Sequence, residues 1–183
     1  GHYGNEASFN VNTHTLSNSS GKYDGSANSC TYKTVNGQNH GSVYVVAGSA
    51  GADGGVQAGY PHNAMPWSVD DGGMFYFEVE DNRLDAKFIR RTGVISDQFT
   101  IMKNVNRSNN LTISAGTPTV LTASWIGNYS WSTGATTRSI TVSPLVTTTY
   151  TVTDGLNCIT DSYQVTVSGT LTRIKSEAKE NTI

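Results

Sequence analysis

Charge is scarce in this 183-residue sequence, proline is rarer still with four residues, and there are only two cysteines. Lys and Arg total 12 against 14 Asp and Glu, a formal net charge of -2. With no basic surplus to neutralise phosphates, nucleic acid is set aside as a partner. No apolar run reaches the length of a membrane-spanning helix, so no span is expected. The first ten residues carry neither a basic segment nor an apolar core of the kind a signal peptide needs, and they lack an initiator Met. The chain therefore reads as a processed or partial piece whose start is silent about compartment.

The two cysteines, Cys30 and Cys158, fall in different segments, with no His or Cys at ligand spacing beside either. They read first as two free thiols, with a single inter-domain disulfide as the alternative. What the sequence has in quantity is Thr, Ser, Asn, Gly and Val. β-Branched residues with small turn formers predict strands joined by tight turns, and no helix of useful length.

Residues 1–40 are polar and irregular. GSVYVVAGSAG, starting at Gly41, reads as a buried strand emptying into a Gly-rich loop. MFYFEVEDNRLDAKF follows, with Phe75, Phe77 and Val79 alternating against Leu84, Ala86 and Phe88 across Asp81-Asn82. Asp and Asn tolerate the left-handed backbone of a tight turn, so this is a β-hairpin. DQFTIMKN supplies a third strand with Phe99 and Ile101 on one face, closing an antiparallel meander. NVNRSNN, residues 104–110, has linker composition and sets the domain boundary. From 111 to 168, six strand-like runs (LTISAG, TVLTASW, NYSWST, RSITVSP, TTYTVTD and SYQVTVS) recur at the spacing of a β-sandwich. Residues 169–183 turn charged and aperiodic, as a tail or linker does.

Two resemblances attach to these residues. SVYVVAGSAGADGG, YPHNAMPWS and NRLDAKFIRRTGVISDQFTIMK resemble the C-terminal end of the catalytic domain of bacterial calcineurin-like metallophosphoesterases related to purple acid phosphatases. GHYGN at the start resembles the segment shortly after that family's last metal-ligand motif. YSWSTGATTRSITVSPLVTTTYTVTDGLNCITDSYQVTVS resembles the immunoglobulin-like modules of secreted Bacteroidetes-type bacterial proteins. The second resemblance implies that Trp131 packs inside a sandwich and Tyr150 fills its opposite side.

Together they imply a mainly β chain: antiparallel strands from the end of a metallophosphoesterase domain over 1–103, a linker at 104–110, and an Ig-like β-sandwich over 111–168. The parent would be secreted or at the cell surface. It would hydrolyse phosphate esters at a site holding two metal ions (Fe, Mn or Zn), completed by upstream catalytic-domain residues. The competing expectation is a non-catalytic adhesion or carbohydrate-binding protein.

Two-metal chemistry needs several O and N ligands converging on ions about 3.5 to 4 Å apart. The family supplies them as Asp-x-His, Gly-Asn-His-Asp/Glu and Gly-His-x-His. The four histidines, His2, His14, His40 and His62, never stand in such pairs. His2 lacks its second His, and Asn5-Glu6 lacks the His between them. No metal ligand or catalytic residue is therefore assigned, and the metal-binding motifs are expected upstream. His62 and Asn63, in a loop the resemblance places near the cleft mouth, are the substrate-proximal candidates; their alternative role is to pack the loop onto the sheet. GSAGADGG lacks the helix and Lys of a phosphate cradle. Asp53, Asp70, Asp71 and Asp81 miss the spacing of a calcium loop. Trp125, Tyr129 and Trp131 could form a sugar platform or belong to the core, Trp131 to the core first.

Overall fold

The computed structural model describes residues 8–35, 41–47, 55, 56, 58–61 and 63–169. The fold is mainly β. Among the described residues there is one short helix, α1 (Val11–His14), a single turn capped by the Asn10 side chain, which accepts from the Asn12 N–H at 3.0 Å. Ten strands follow it among those residues.

The first sheet has the order β1-β4-β3-β2, from β1 (Tyr32–Val35), β2 (Gly73–Glu80), β3 (Arg83–Arg90) and β4 (Ile95–Val105). β2 and β3 form the expected hairpin, pairing Phe75 with Phe88, Phe77 with Ala86 and Val79 with Leu84. Asp81 takes the left-handed turn at φ 51°. β4 runs antiparallel to β3, completing the meander, and β1 then adds in parallel. Ahead of β1, residues 18–31 strap the same edge. Thr100 N–H donates to the Gly21 carbonyl at 2.8 Å, and Thr31 Oγ1 donates to the Thr100 carbonyl at 2.8 Å. Gly21 has φ +73° and lies against the Tyr32 ring, so a side chain would be excluded twice over.

All six C-terminal runs form strands: β5 (Ser108–Ser114), β6 (Thr119–Thr122), β7 (Ser130–Trp131), β8 (Ser139–Val142), β9 (Thr148–Thr153) and β10 (Thr160–Ser168). They make a four-stranded sheet β5-β10-β9-β7 and a two-stranded ribbon β6-β8. The strands are not all antiparallel, because β5 joins β10 in parallel over seven residues. Trp125, Trp131, Leu121, Ile140, Val142, Val152, Tyr163 and Val165 are buried between these strands, and Tyr150 packs against them partly buried.

Three expectations need correction. Cys30 and Cys158 are joined in a disulfide, with Cα atoms 5.3 Å apart. Spacing along the chain could not show this, since folding brings the strap before β1 onto the β9–β10 turn. Residues 104–110 are not an extended linker. β4 continues through Val105 and β5 begins at Ser108, leaving only Asn106 and Arg107 between them. Asn104 and Asn106 both adopt φ 55°, so the asparagines serve left-handed backbone around a buried Val105. Third, residues 41–47 of the expected buried strand form no strand and are exposed, with Val43, Tyr44, Val45 and Val46 all open to solvent, while residues 48–51 of that run lie outside the described residues. An apolar run becomes a buried strand only where a sheet edge is available to it, and none of the described strands pairs with this one.

The two sheet systems share one core. Met102 and Val105 of β4 are fully buried in the same cluster as Trp125, Val152 and Ile159. Reducing the disulfide, or replacing Cys30 and Cys158 with Ser, should cost about 3 to 5 kcal/mol, because the bond closes a very long loop. Urea unfolding of the oxidised and reduced chains measures this. An unchanged midpoint would assign the joining of the sheets to the core alone.

Candidate functional site

Two concave regions and one buried polar seam hold the side chains with chemical potential. The first cavity is an open cleft of about 620 Å³ lined by Phe9, Asn10, Val11, Pro61, Asn63 and Pro66. Asn63, exposed in a turn, is among its lining residues. His62 lies outside the described residues, as do His2, Asn5, Glu6, His40, Asp53 and the tail from 170 onward. The described lining residues are apolar or amide and include no acid or base. His14, nearby in sequence, accepts a hydrogen bond from the Asn10 N–H through Nδ1 at 2.9 Å, with its ring 5.7 Å from that of Phe9. Of the aspartates whose spacing misses a calcium loop, Asp71 lies 3.4 and 3.5 Å from Arg90 and Arg91, and Asp81 lies 2.8 Å from Arg138. Among the described residues, no three His, Cys, Asp or Glu side chains gather as a metal site.

The second cavity, about 320 Å³, lies over β3 and β4 and is polar. Sequence reading missed it, because its side chains come from three separate stretches. Arg83 grips Asp85 through two hydrogen bonds, Nε at 2.6 Å and Nη2 at 3.0 Å. Thr100 Oγ1 donates to the same carboxylate at 2.6 Å. Burial pushes the Asp85 carboxyl up, but these donors and the neighbouring positive charges outweigh it and hold its pKa below the usual range. The Asp85 hydrogen bond in turn raises the Arg83 pKa further. The guanidinium also stacks over the Tyr23 ring, 5.6 Å from its centroid, and donates to the Ile126 carbonyl at 3.3 Å. Lys22, Lys87, Glu78 and Gln98 complete the rim. The mixed charges suit positioning better than chemistry, since the one well-placed carboxylate is fully engaged.

The seam between the sheet systems is built on two buried aspartates. Asp161 accepts from Arg107 N–H at 2.7 Å, Ser124 N–H at 2.7 Å and Ser124 Oγ at 3.0 Å. Asp154 accepts from Cys158 N–H at 2.7 Å, Ile159 N–H at 3.2 Å and the Tyr23 hydroxyl at 2.7 Å. Burial, then the bond to Asp154, raises the Tyr23 pKa far above an ordinary phenol, so this hydroxyl stays a donor. Asn82 Nδ2 bridges the Lys103 and Ser124 carbonyls at 2.6 and 2.7 Å. Lys33 Nζ donates to the Cys158 carbonyl at 2.6 Å. These residues come from both sheet systems, so the seam is structural.

The aromatic candidates resolve clearly. Trp125 and Trp131 are buried, and their indole N–H groups donate to the Asn128 and Thr137 carbonyls at 3.1 and 2.8 Å. Tyr129 is partly buried against Trp125, its hydroxyl donating to the Trp125 carbonyl at 3.1 Å. They belong to the core and form no exposed platform.

Comparison with models of known protein families and with curated proteins returns no match.

Two outcomes check the electrostatics. Asp161→Ala strands three buried donors and should cost about 3 kcal/mol or more, read as a lowered urea midpoint. Asp97 is the opposite case: burial raises its pKa against a bond from the Gln98 N–H and the charge of Lys22. A carboxyl with a raised folded pKa favours the fold below its unfolded pKa, and that contribution is lost as pH rises through the folded value. Asp97→Asn should therefore raise Tm at neutral pH. The gain should vanish once the pH falls below the ordinary carboxyl range, and an equal gain at both pH values would contradict the assignment.

Proposed function

We propose that this chain is the C-terminal part of a secreted, metal-dependent phosphoesterase: the last strands of the catalytic domain, continuing into an immunoglobulin-like module. The parent hydrolyses phosphate esters with a metal-bound hydroxide, and its metal ligands lie in sequence preceding this chain. The observation that carries the reading is the apolar stretch Val43–Val46, exposed and unpaired here, within the block that resembles the metallophosphoesterase end. Such a run is suited to completing a sheet whose other strands come from the catalytic domain. The disulfide adds support for an oxidising, extracytoplasmic location. No helix among the described residues is long and apolar enough to cross a membrane.

In this reading the chain's own residues do not perform the hydrolysis. Asn63 and His62 would border the substrate, and the disulfide-linked sheets would carry the appended module at a fixed position. Of the three tryptophans, Trp125 and Trp131 are buried and cannot serve the adhesion alternative as a sugar platform, while Trp67 is 45 % exposed.

The chain is tested together with its upstream coding sequence against an aryl phosphate with added Fe, Mn or Zn. Metal-dependent turnover by the longer chain, and none by the 183 residues alone, is expected. Turnover by the short chain would contradict the assignment of the ligands upstream. An upstream sequence without Gly-Asn-His-Glu and Gly-His-x-His motifs would sink the enzymatic reading.

A further inference from the structure

We propose that the free edge of β2 is a self-complementary docking surface, and that its occupant is β2 of a second copy of this chain, paired antiparallel. The sheet order leaves β2 at an edge. Its side chains are open on both faces: Met74 is 55 %, Tyr76 43 %, Phe77 52 % and Val79 69 % exposed. An edge strand this apolar is a template for strand addition.

The hairpin fixes which backbone groups are free. Glu80 and Arg83 flank a two-residue turn and form its closing hydrogen-bonded pair. At the other end, the Arg91 N–H donates to the Gly72 carbonyl at 2.8 Å, in the same phase. The even-numbered residues of β2 therefore bond to β3. Gly73, Phe75, Phe77 and Val79 direct their N–H and C=O groups outward. A two-fold axis through Tyr76 pairs Phe75 with Phe77 of the second copy, and Gly73 with its Val79. Every outward backbone group of the strand is then used.

The side chains favour a second copy over an unrelated strand. Phe75 already stacks on Phe77 at 5.4 Å and packs on Phe88 and Phe99 at 5.8 and 6.4 Å. Self-pairing sets Phe77 of the second copy beside this ladder, twice by symmetry. The ends of the edge also complement each other. Glu78, Glu80 and Asp81 mark one end, while Arg90 and Arg91 stand beside Gly73 and Gly72 at the other, both within 3.5 Å of Asp71. In this register Glu80 of the second copy lies opposite Gly72, and with no side chain between them it meets Arg91.

Sedimentation equilibrium of the full chain over a wide concentration range tests the proposal. A reversible monomer–dimer equilibrium is expected. Tyr76→Lys places two like charges across the axis and should weaken dimerisation by more than about tenfold, with the near-UV circular dichroism of the buried tryptophans unchanged. Should that variant misfold, Tyr76→Cys decides, because its introduced thiols sit face to face in a non-hydrogen-bonded pair and should cross-link two chains. A chain that stays monomeric throughout, or gains mass only with a different protein, overturns the proposal. So does a dimer that ignores Tyr76→Lys and does not cross-link.

Discussion

A carboxylate taken out of water must be fully hydrogen-bonded or it unfolds what surrounds it, and this chain meets that constraint twice at one seam. Asp154 and Asp161 are 1 % and 0 % exposed, and each is held by three donors. Those donors fix the turn between β9 and β10, the β4–β5 connection, Ser124 before Trp125, and Tyr23 in the N-terminal strap. With these carboxylates satisfied, Cys158 is positioned for Cys30, and Lys33 reaches the Cys158 carbonyl.

The seam explains why the chain is not two modules on a tether. β4 carries Met102 and Val105 into the core of the C-terminal strands, and only two residues separate it from β5. Arg83 extends the connection, bound at once to Asp85, the Tyr23 ring and the Ile126 carbonyl. The two sheet systems are therefore held to each other by packing and by the disulfide, with little left to linker length.

The polar cleft over β3 and β4 shows how such a fold produces a concave, charged surface. Arg83, Asp85 and Thr100 are neighbours because the meander register sets Asp85 opposite Thr100, with Arg83 two residues away on the same face. Their charges are spent on one another. The apolar face of the same sheet behaves differently, since its aromatic ladder runs from Tyr32 and Phe99 through Phe75 to Phe77 and ends exposed at the β2 edge.

The sequence by itself determined the mainly β class, the hairpin across Asp81-Asn82, the third strand at Phe99 and Ile101, and the six C-terminal strands. Those features rest on alternation with period two and on turn residues, both written within a few neighbouring positions. It also marked Trp131 for the core. Tertiary structure alone decided the disulfide, the burial of Trp125, the roles of Asp154 and Asp161, and the exposure of Val43–Val46. Each depends on which distant segment arrives as neighbour: a cysteine pairs, an aspartate is buried safely, and an apolar run becomes a strand only when its partner is delivered by the rest of the fold. The stretch at 104–110 shows the limit most plainly, since its asparagines suit a flexible linker and a left-handed turn equally, and only the burial of Val105 chose between them.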